Sequence, residues 1–243
     1  MQLKSDFTVW MEDVRSGLRI TDKALLEILG DMAMLHGMKI GQGINTRYIH
    51  HMVWMTLNWK MKITRRPKAG ETITAVTWAR DYTRVQAYRD YLILDSEGNE
   101  LVRASSNWVV LDERTMAIKR LTPEIMDPYE QEPEREVFSG ESFRRPPKEG
   151  PAVLAEIKYP ILKCMIDENG HVHNTSYIDM VREVLPEDID PESLTRLESS
   201  YKKEIKPETG YVIVSYGREN EDHVIRILDP ADRSLHAEFV LGK

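Results

Sequence analysis

The sequence predicts an α+β fold in which one plan is used twice, a helix followed by an antiparallel meander of strands. Three observations predict it. Residues 21–36, TDKALLEILGDMAMLH, carry apolar side chains at helical spacing, and segments rich in Val, Ile, Thr, Tyr and Trp follow. The same succession returns after residue 152. Short marks recur in matching order across the halves. Pro67-Lys68-Ala69-Gly70 answers Pro207-Glu208-Thr209-Gly210, and Ile93-Leu94-Asp95 answers Ile227-Leu228-Asp229, with Leu101 and Leu235 six residues after each aspartate.

The first helix has Thr21 or Asp22 as its expected cap. Strands are expected near 52–64, 71–79, 83–94 and 100–111, divided by R-P-K-A-G and D-S-E-G-N turns. Residues 121–152 differ, holding six of the twelve prolines with little periodicity, and read as a crossing linker. The expected division is a first domain at 1–125, a Pro-rich linker at 126–152 and a second domain at 153–243. In the second half a strand is expected near 156–163, then a helix over 174–185 ended before Pro186. Strands follow near 195–206, 210–217, 223–229 and 234–241. A single helix cannot bury a sheet face unless the sheet wraps it. Two such units can pair their sheets edge to edge, and the seam is a natural place for a long, narrow ligand pocket.

The bulk properties narrow the function. At 243 residues the chain is one large domain or two small ones, and 30% charged with 41% apolar residues is ordinary for a soluble protein. A formal charge of −7 argues against a general nucleic-acid binder, which needs a basic surface. One cysteine, Cys164, excludes an internal disulfide framework and fits a reducing compartment. The N-terminus has no apolar signal core and no apolar run reaches membrane-spanning length, so a cytoplasmic protein without membrane insertion is expected.

The richest stretch is 166–177, IDENGHVHNTSY, which gathers Asp167, Asn169, His171, His173, Asn174 and Tyr177 around the turn residue Gly170. Such a cluster can polarise a carbonyl, orient a water and move a proton. It also reads as an ordinary turn with Asn174 as a helix cap. His171 and His173 with Asp167 hint at a metal, but no third ligand has a recognisable spacing, so no metal is expected. The D-E-N-G run imitates a calcium loop, yet its twelfth position is Ile178.

Four segments together carry a family resemblance: R-A-S-S-N-W-V-V-L-D (103–112), the turn around Gly70, D-x-N-x-H-V-x-N-x-x-Y (167–177) and Y-K-K-E (201–204). Through them the chain resembles the acyl-acyl carrier protein (acyl-ACP) thioesterases. The resemblance implies a tandem hot-dog fold, each half a long helix wrapped by an antiparallel sheet. It implies hydrolysis of fatty acyl-ACP thioesters, a step that ends chain elongation in fatty acid biosynthesis, with no cofactor. The implied partner is acyl carrier protein bearing a fatty acyl chain, and a homodimer is a further expectation.

Carried over, the family's catalytic set falls on Asp167, Asn169, His171 and Glu204. The expected roles are Glu204 as base, Asn169 as orienter of water or carbonyl, His171 as polariser and Asp167 as the group that fixes His171. The roles of Glu204 and His171 are exchangeable. Asn174 and Tyr177 are expected in support, with backbone N–H groups of the helix near Asn174 at the oxyanion. The chain departs from the family pattern at His173, where a second Asn is usual, and at Ile205, where a Cys is frequent. Cys164 lies outside the motif, which favours a water-mediated hydrolysis. Strand alternation alone would group Glu204 with Glu198, Ser200, Lys202 and Lys206 on a solvated face, opposite Leu197, Tyr201 and Ile205. The Y-K-K-E match is what promotes it.

Trp54, Trp59, Trp78 and Trp108 read as core packing or as walls of an acyl pocket, and Met32, Met34 and Met38 as helix-face packing. Arg65, Arg66, Lys68, Lys202 and Lys203 are either solvated strand ends or a docking patch for the acidic carrier. Aligning Pro67 with Pro207 sets Thr64 opposite Glu204, so one catalytic site per chain is expected, with the first half shaping the acyl pocket. The alternatives are an acyl-CoA thioesterase of the same fold and a non-catalytic acyl-binding protein. A hot-dog dehydratase is possible in principle, with nothing in the sequence selecting it.

Overall fold

A computed structural model of the chain describes residues 1–43 and 50–243. The first half contains β1 (Gln2–Thr8), helix α1 (Asp22–Lys39), β2 (Met52–Ile63), β3 (Thr72–Tyr82), β4 (Ala87–Leu94), β5 (Glu100–Asp112) and the short β6 (Ile118–Lys119). The second contains β7 (Val153–Pro160), helix α2 (Ser176–Val184), β8 (Arg196–Tyr201), β9 (Tyr211–Glu219), β10 (Asp222–Leu228) and β11 (Leu235–Gly242). The strands form one antiparallel sheet in the order β1-β3-β4-β5-β2-β8-β11-β10-β9-β7, with β6 beside β5. Each half runs outward from the strand that follows its helix. The halves meet where β2 pairs with β8, Asn58 opposite Ser200 through to Lys62 opposite Arg196.

Both helices bury their apolar stripes in one core. Leu25 and Leu29 of α1 and Met180 and Val181 of α2 belong to the same cluster as Trp59, Tyr91 and Phe239 from the strands. The cap of α1 is Thr21, whose Oγ1 accepts from the Ala24 N–H at 3.2 Å. Lys23 Nζ on α1 lies 2.6 Å from Asp179 Oδ2 on α2. Arg66 is buried, pairs with Asp22 Oδ1 at 2.7 Å and donates to the Leu194 carbonyl at 2.9 Å, so it fastens one half to the other. It is therefore not available as a docking residue, as the sequence allowed.

The outer face of the sheet carries charge that is nevertheless buried, and the proline-rich segment explains why. Trp78 Nε1 donates to the Arg135 carbonyl at 3.2 Å, and the Val137 N–H donates to Asp90 Oδ2 at 3.2 Å. At the seam, Lys60 Nζ donates to the Ser142 carbonyl at 2.9 Å and Ser200 Oγ to the Arg144 carbonyl at 2.9 Å. Arg144 then reaches Glu238 Oε1 at 2.9 Å, while Arg226 Nε lies 3.4 Å from the other oxygen. The segment is a strap whose backbone polar groups are satisfied by strand side chains.

Several expectations need correction. β1 was not foreseen: it is an edge strand whose Lys4-Ser5-Asp6 centre hides the apolar alternation. β8 ends at Tyr201 rather than running on to residue 206, because Lys202 and Lys203 both turn their N–H groups to the His236 carbonyl. Helix α2 begins at Ser176, with Thr175 at its cap position, so Asn174 is not the cap. It spans 9 residues against 18 for α1, so only the first half has a long helix.

Glu238 is 2% exposed between two guanidinium groups. Glu238→Ala leaves both cations short of their partner and should destabilise the fold by about 3 kcal/mol. Urea unfolding checks this, and a loss under about 0.5 kcal/mol, the level of an ordinary surface change, would show that the strap does not depend on it.

Candidate active site

The polar cluster is a tight turn. The Asp167 N–H donates to the His171 carbonyl at 2.8 Å and the Gly170 N–H to the Asp167 carbonyl at 3.0 Å. Gly170 has φ +77°, a left-handed conformation that costs glycine little. Asp167 Oδ1 accepts from the backbone N–H groups of Asn169 (2.8 Å) and His171 (3.2 Å), and Oδ2 from Asn169 Nδ2 (3.3 Å). Asp167 thus holds His171 through its backbone N–H.

The ring of His171 meets Glu204 instead. His171 Nε2 and Lys206 Nζ each lie 3.3 Å from Glu204 Oε1. Glu204 is brought there because the chain leaves β8 after Tyr201 and folds back, and the Val172 N–H donates to the Ile205 carbonyl at 2.9 Å. Ile205 is fully buried and anchors the turn. Asn174 contributes its carbonyl, which accepts from Tyr201 Oη at 3.2 Å. Tyr177 is buried, edge-on to Tyr201 at 5.4 Å, and burial pushes its phenol pKa up. The Ser176 and Ile178 N–H groups already donate to the His173 and Thr175 carbonyls, at 2.9 and 3.1 Å.

His173, the departure from the family pattern, faces the first half. Its Nδ1 lies 2.8 Å from Thr175 Oγ1, which donates to Glu27 Oε1 of α1 at 3.1 Å. Burial holds the nearby Asp31 carboxyl above the usual range, with His173 opposing. Among the described residues no cluster of His, Cys, Asp and Glu is arranged to hold a metal ion. The free Cys164 is exposed.

Two cavities meet at this turn. The larger, about 1210 Å³, is lined by Asn169, His171, Tyr177, Lys202 and Glu204 together with residues of α1 and β2. The smaller, about 440 Å³, is lined by Glu168 and Asn169 but otherwise lies within the first half, between α1 and the sheet. Gly30, Met34, Trp54 and Trp108 wall both. Glycine inside a helix costs about 1 kcal/mol relative to alanine. At Gly30 an added Cβ would meet nothing within 4 Å, so the missing side chain is open cavity. Trp59 packs in the core and also lines the larger cavity, and Trp78 is a strap contact.

Comparison with known proteins agrees with this architecture. Residues 1–129 match the acyl-ACP thioesterase N-terminal domain and residues 153–232 the C-terminal domain. The chain belongs to the acyl-ACP thioesterase family. It is 27% identical over 220 residues to oleoyl-acyl carrier protein thioesterase 1 of Arabidopsis thaliana, covering 84% of this chain and 60% of that protein. It is 24% identical over 197 residues to the palmitoyl-acyl carrier protein thioesterase of Cuphea hookeriana, covering 79% of this chain and 45% of that one. The chain thus spans about half to three-fifths of the length of these curated relatives. Among solved structures, an acyl-ACP thioesterase from Bacteroides thetaiotaomicron superposes with a TM-score of 0.83 at 19% identity, covering 99% of this chain and 96% of that one. The 12:0-ACP thioesterase of Umbellularia californica gives 0.84 at 15%, with coverage of 99% and 96%. The fold of this thioesterase-family chain is the tandem hot-dog.

Sequence reasoning missed Lys206, Gly30 and a buried group behind the smaller cavity. There Arg89 Nη1 lies 2.9 Å from His36 Nδ1. A guanidinium only donates, so Nδ1 accepts and the His36 proton is on Nε2. Burial, then the adjacent Arg89 charge, holds the His36 pKa down at about 3 against an ordinary 6.5. A glycine pair at 30 and 37 within an otherwise good helix was the available signal for the cavity.

Between pH 6.5 and about 3 the unfolded chain carries a proton on His36 that the folded chain refuses. The stability that neutral His36 contributes is complete above that window and is lost as pH falls through it. His36→Gln should therefore lose less stability than the parent between pH 7 and pH 5, by about 2 kcal/mol. Urea midpoints at the two pH values check this, and equal losses would refute it.

Proposed function

We propose that this chain hydrolyses fatty acyl-ACP thioesters and releases the free fatty acid. The observation that carries the reading is the His171–Glu204 contact of 3.3 Å at the wall of a cavity that continues under α1. The pair activates a water whose oxygen attacks the thioester carbonyl carbon, with the water's proton taken by the pair. Asn169 and His171 line the same cavity and steady the developing oxyanion. The C–S bond then breaks and the thiolate takes up the proton. Thiols ionise near about 8.5, so the leaving group needs little acid assistance.

In this reading Asp167 shapes the turn, Asn174 and Tyr177 hold the Glu204 segment, and the first half shapes the acyl pocket from Gly30, Met34 and Trp54. No helix among the described residues is long and apolar enough to cross a membrane. The compartment inferred is the cytoplasm, where the carrier protein is the partner.

Glu204→Gln keeps the shape and removes the base, so it should lower kcat on acyl-ACP by about 100-fold or more while the protein stays folded. Near-full turnover would sink the assignment. The same assay run with acyl-CoA of matched chain separates the carrier, since this reading expects the higher kcat/KM on acyl-ACP. Tight acyl binding with no hydrolysis of either would leave the non-catalytic alternative.

Gly30→Leu should fill cavity space and move the preferred substrate to shorter acyl chains, with little loss of kcat on the shorter ones. Product analysis of the fatty acids released checks this, and an unchanged length profile would contradict the pocket assignment.

A further inference from the structure

The smaller cavity ends in a group that a hydrocarbon tail does not explain. Arg89 lines it away from the wall shared with the larger cavity and is 8% exposed. Among the described residues its hydrogen bonds are both made by Nη1, to His36 Nδ1 at 2.9 Å and to Thr77 Oγ1 at 3.2 Å. It has no carboxylate within ion-pair distance among those residues. The cation keeps its charge beside the Tyr129 ring and the apolar walls of the cavity.

Its neighbours include buried polar atoms without partners. The guanidinium stacks 5.3 Å from the Tyr129 ring, and His36 and Trp54 meet the same ring edge-on at 5.4 and 6.4 Å. His36 Nε2, which carries the proton, and Trp54 Nε1 are both buried without a hydrogen-bond partner, as is Gln42 Oε1. Tyr129, Trp54 and Gln42 line the cavity with Arg89. Two donors that line the cavity, the Arg89 cation and Trp54 Nε1, are thus gathered round one aromatic ring, with His36 behind Arg89. Leaving buried donors unmade costs about 1–3 kcal/mol each, and an unpaired buried charge costs more. A methyl terminus would satisfy none of them. An acceptor carrying negative charge would satisfy both Arg89 and Trp54 Nε1.

We propose that this end of the cavity is a subsite for an oxygen-bearing acyl terminus, and that the chain prefers thioesters whose far end is a carboxylate. The proposal rests on the thioesterase reading for the thioester end, and adds to it the chemistry of the other end. A hydroxyl is the weaker match, since it accepts hydrogen bonds but leaves the Arg89 charge uncompensated.

Binding tests this without depending on hydrolysis. Methyl esters of matched chain length, ending in a methyl, a hydroxyl or a carboxylate, would displace a fluorescent fatty-acid probe from the intact protein. The ester stands in for the thioester, so only the far end differs. The expected order is carboxylate over hydroxyl over methyl, with about 10-fold or more between the extremes, which is one charge-assisted hydrogen bond. Arg89→Met should abolish or reverse that order. Trp54→Phe, which removes one donor and leaves the cation, should shrink it. Equal binding of the three in the parent protein, or tightest binding of the methyl-ended ester, overturns the proposal, and so does an order that Arg89→Met leaves unchanged. If Arg89→Met does not fold, the parent ranking and Trp54→Phe decide. Loss of hydrolysis in every acyl-ACP assay with the carboxylate preference intact would sink the thioesterase reading and leave the subsite standing.

Discussion

The ladder between β2 and β8 is the constraint on which the rest of the molecule depends. Each half alone would leave its seam strand, β2 or β8, as an open edge, and an open edge is an invitation to pair. Five paired positions from Asn58–Ser200 to Lys62–Arg196 close both edges at once. The register they set puts Trp59 and Leu197 on the inner face and Lys60 and Glu198 on the outer. It also decides what faces what: the Asp167–His171 turn of one half lines the same cavities as α1 and β2 of the other. Neither half contains both the polar residues and the pocket.

The polar residues are themselves held as two pieces tied by one backbone bond. Asp167 closes the first piece by accepting two N–H groups, and buried Ile205 roots the second. The Val172–Ile205 hydrogen bond makes the separation of His171 and Glu204 a property of the backbone. Long side chains are costly to immobilise, so fixing their Cα positions first reduces what the contact itself must supply.

Much of this could be read from residues alone, and the failures have physical causes. The doubled helix-and-meander plan was legible because turn marks such as Pro67–Gly70 and Pro207–Gly210 recur in order. The Thr21 cap was legible because capping is local. β1 was not, because an edge strand can be polar at its centre. The end of β8 was not, because Tyr201 to Lys206 still alternates, and only the pull of the His236 carbonyl on two successive N–H groups bends it. Glu204 therefore looked like one more solvated strand residue. How Asp167 fixes His171 was not legible: one oxygen accepts two backbone N–H groups of the turn, and the other accepts from the Asn169 amide. Arg89 gave no sign at all, since a single basic residue in a strand between Tyr88 and Asp90 reads as one more charge on a sheet face.

The strap over the outer face is fastened to both halves, by Trp78 and Asp90 on one side and by Glu238 on the other. Its covalent continuity is a separate matter from its contacts. The ladder, the shared core and the Arg66 clasp all lie outside residues 126–152, so a nick in that stretch would cut no interaction between the halves. What the unbroken chain provides is a high local concentration of one half for the other. The two halves are in this sense a pair of separate molecules kept on a leash, and two fragments supplied together have every contact they need to find each other.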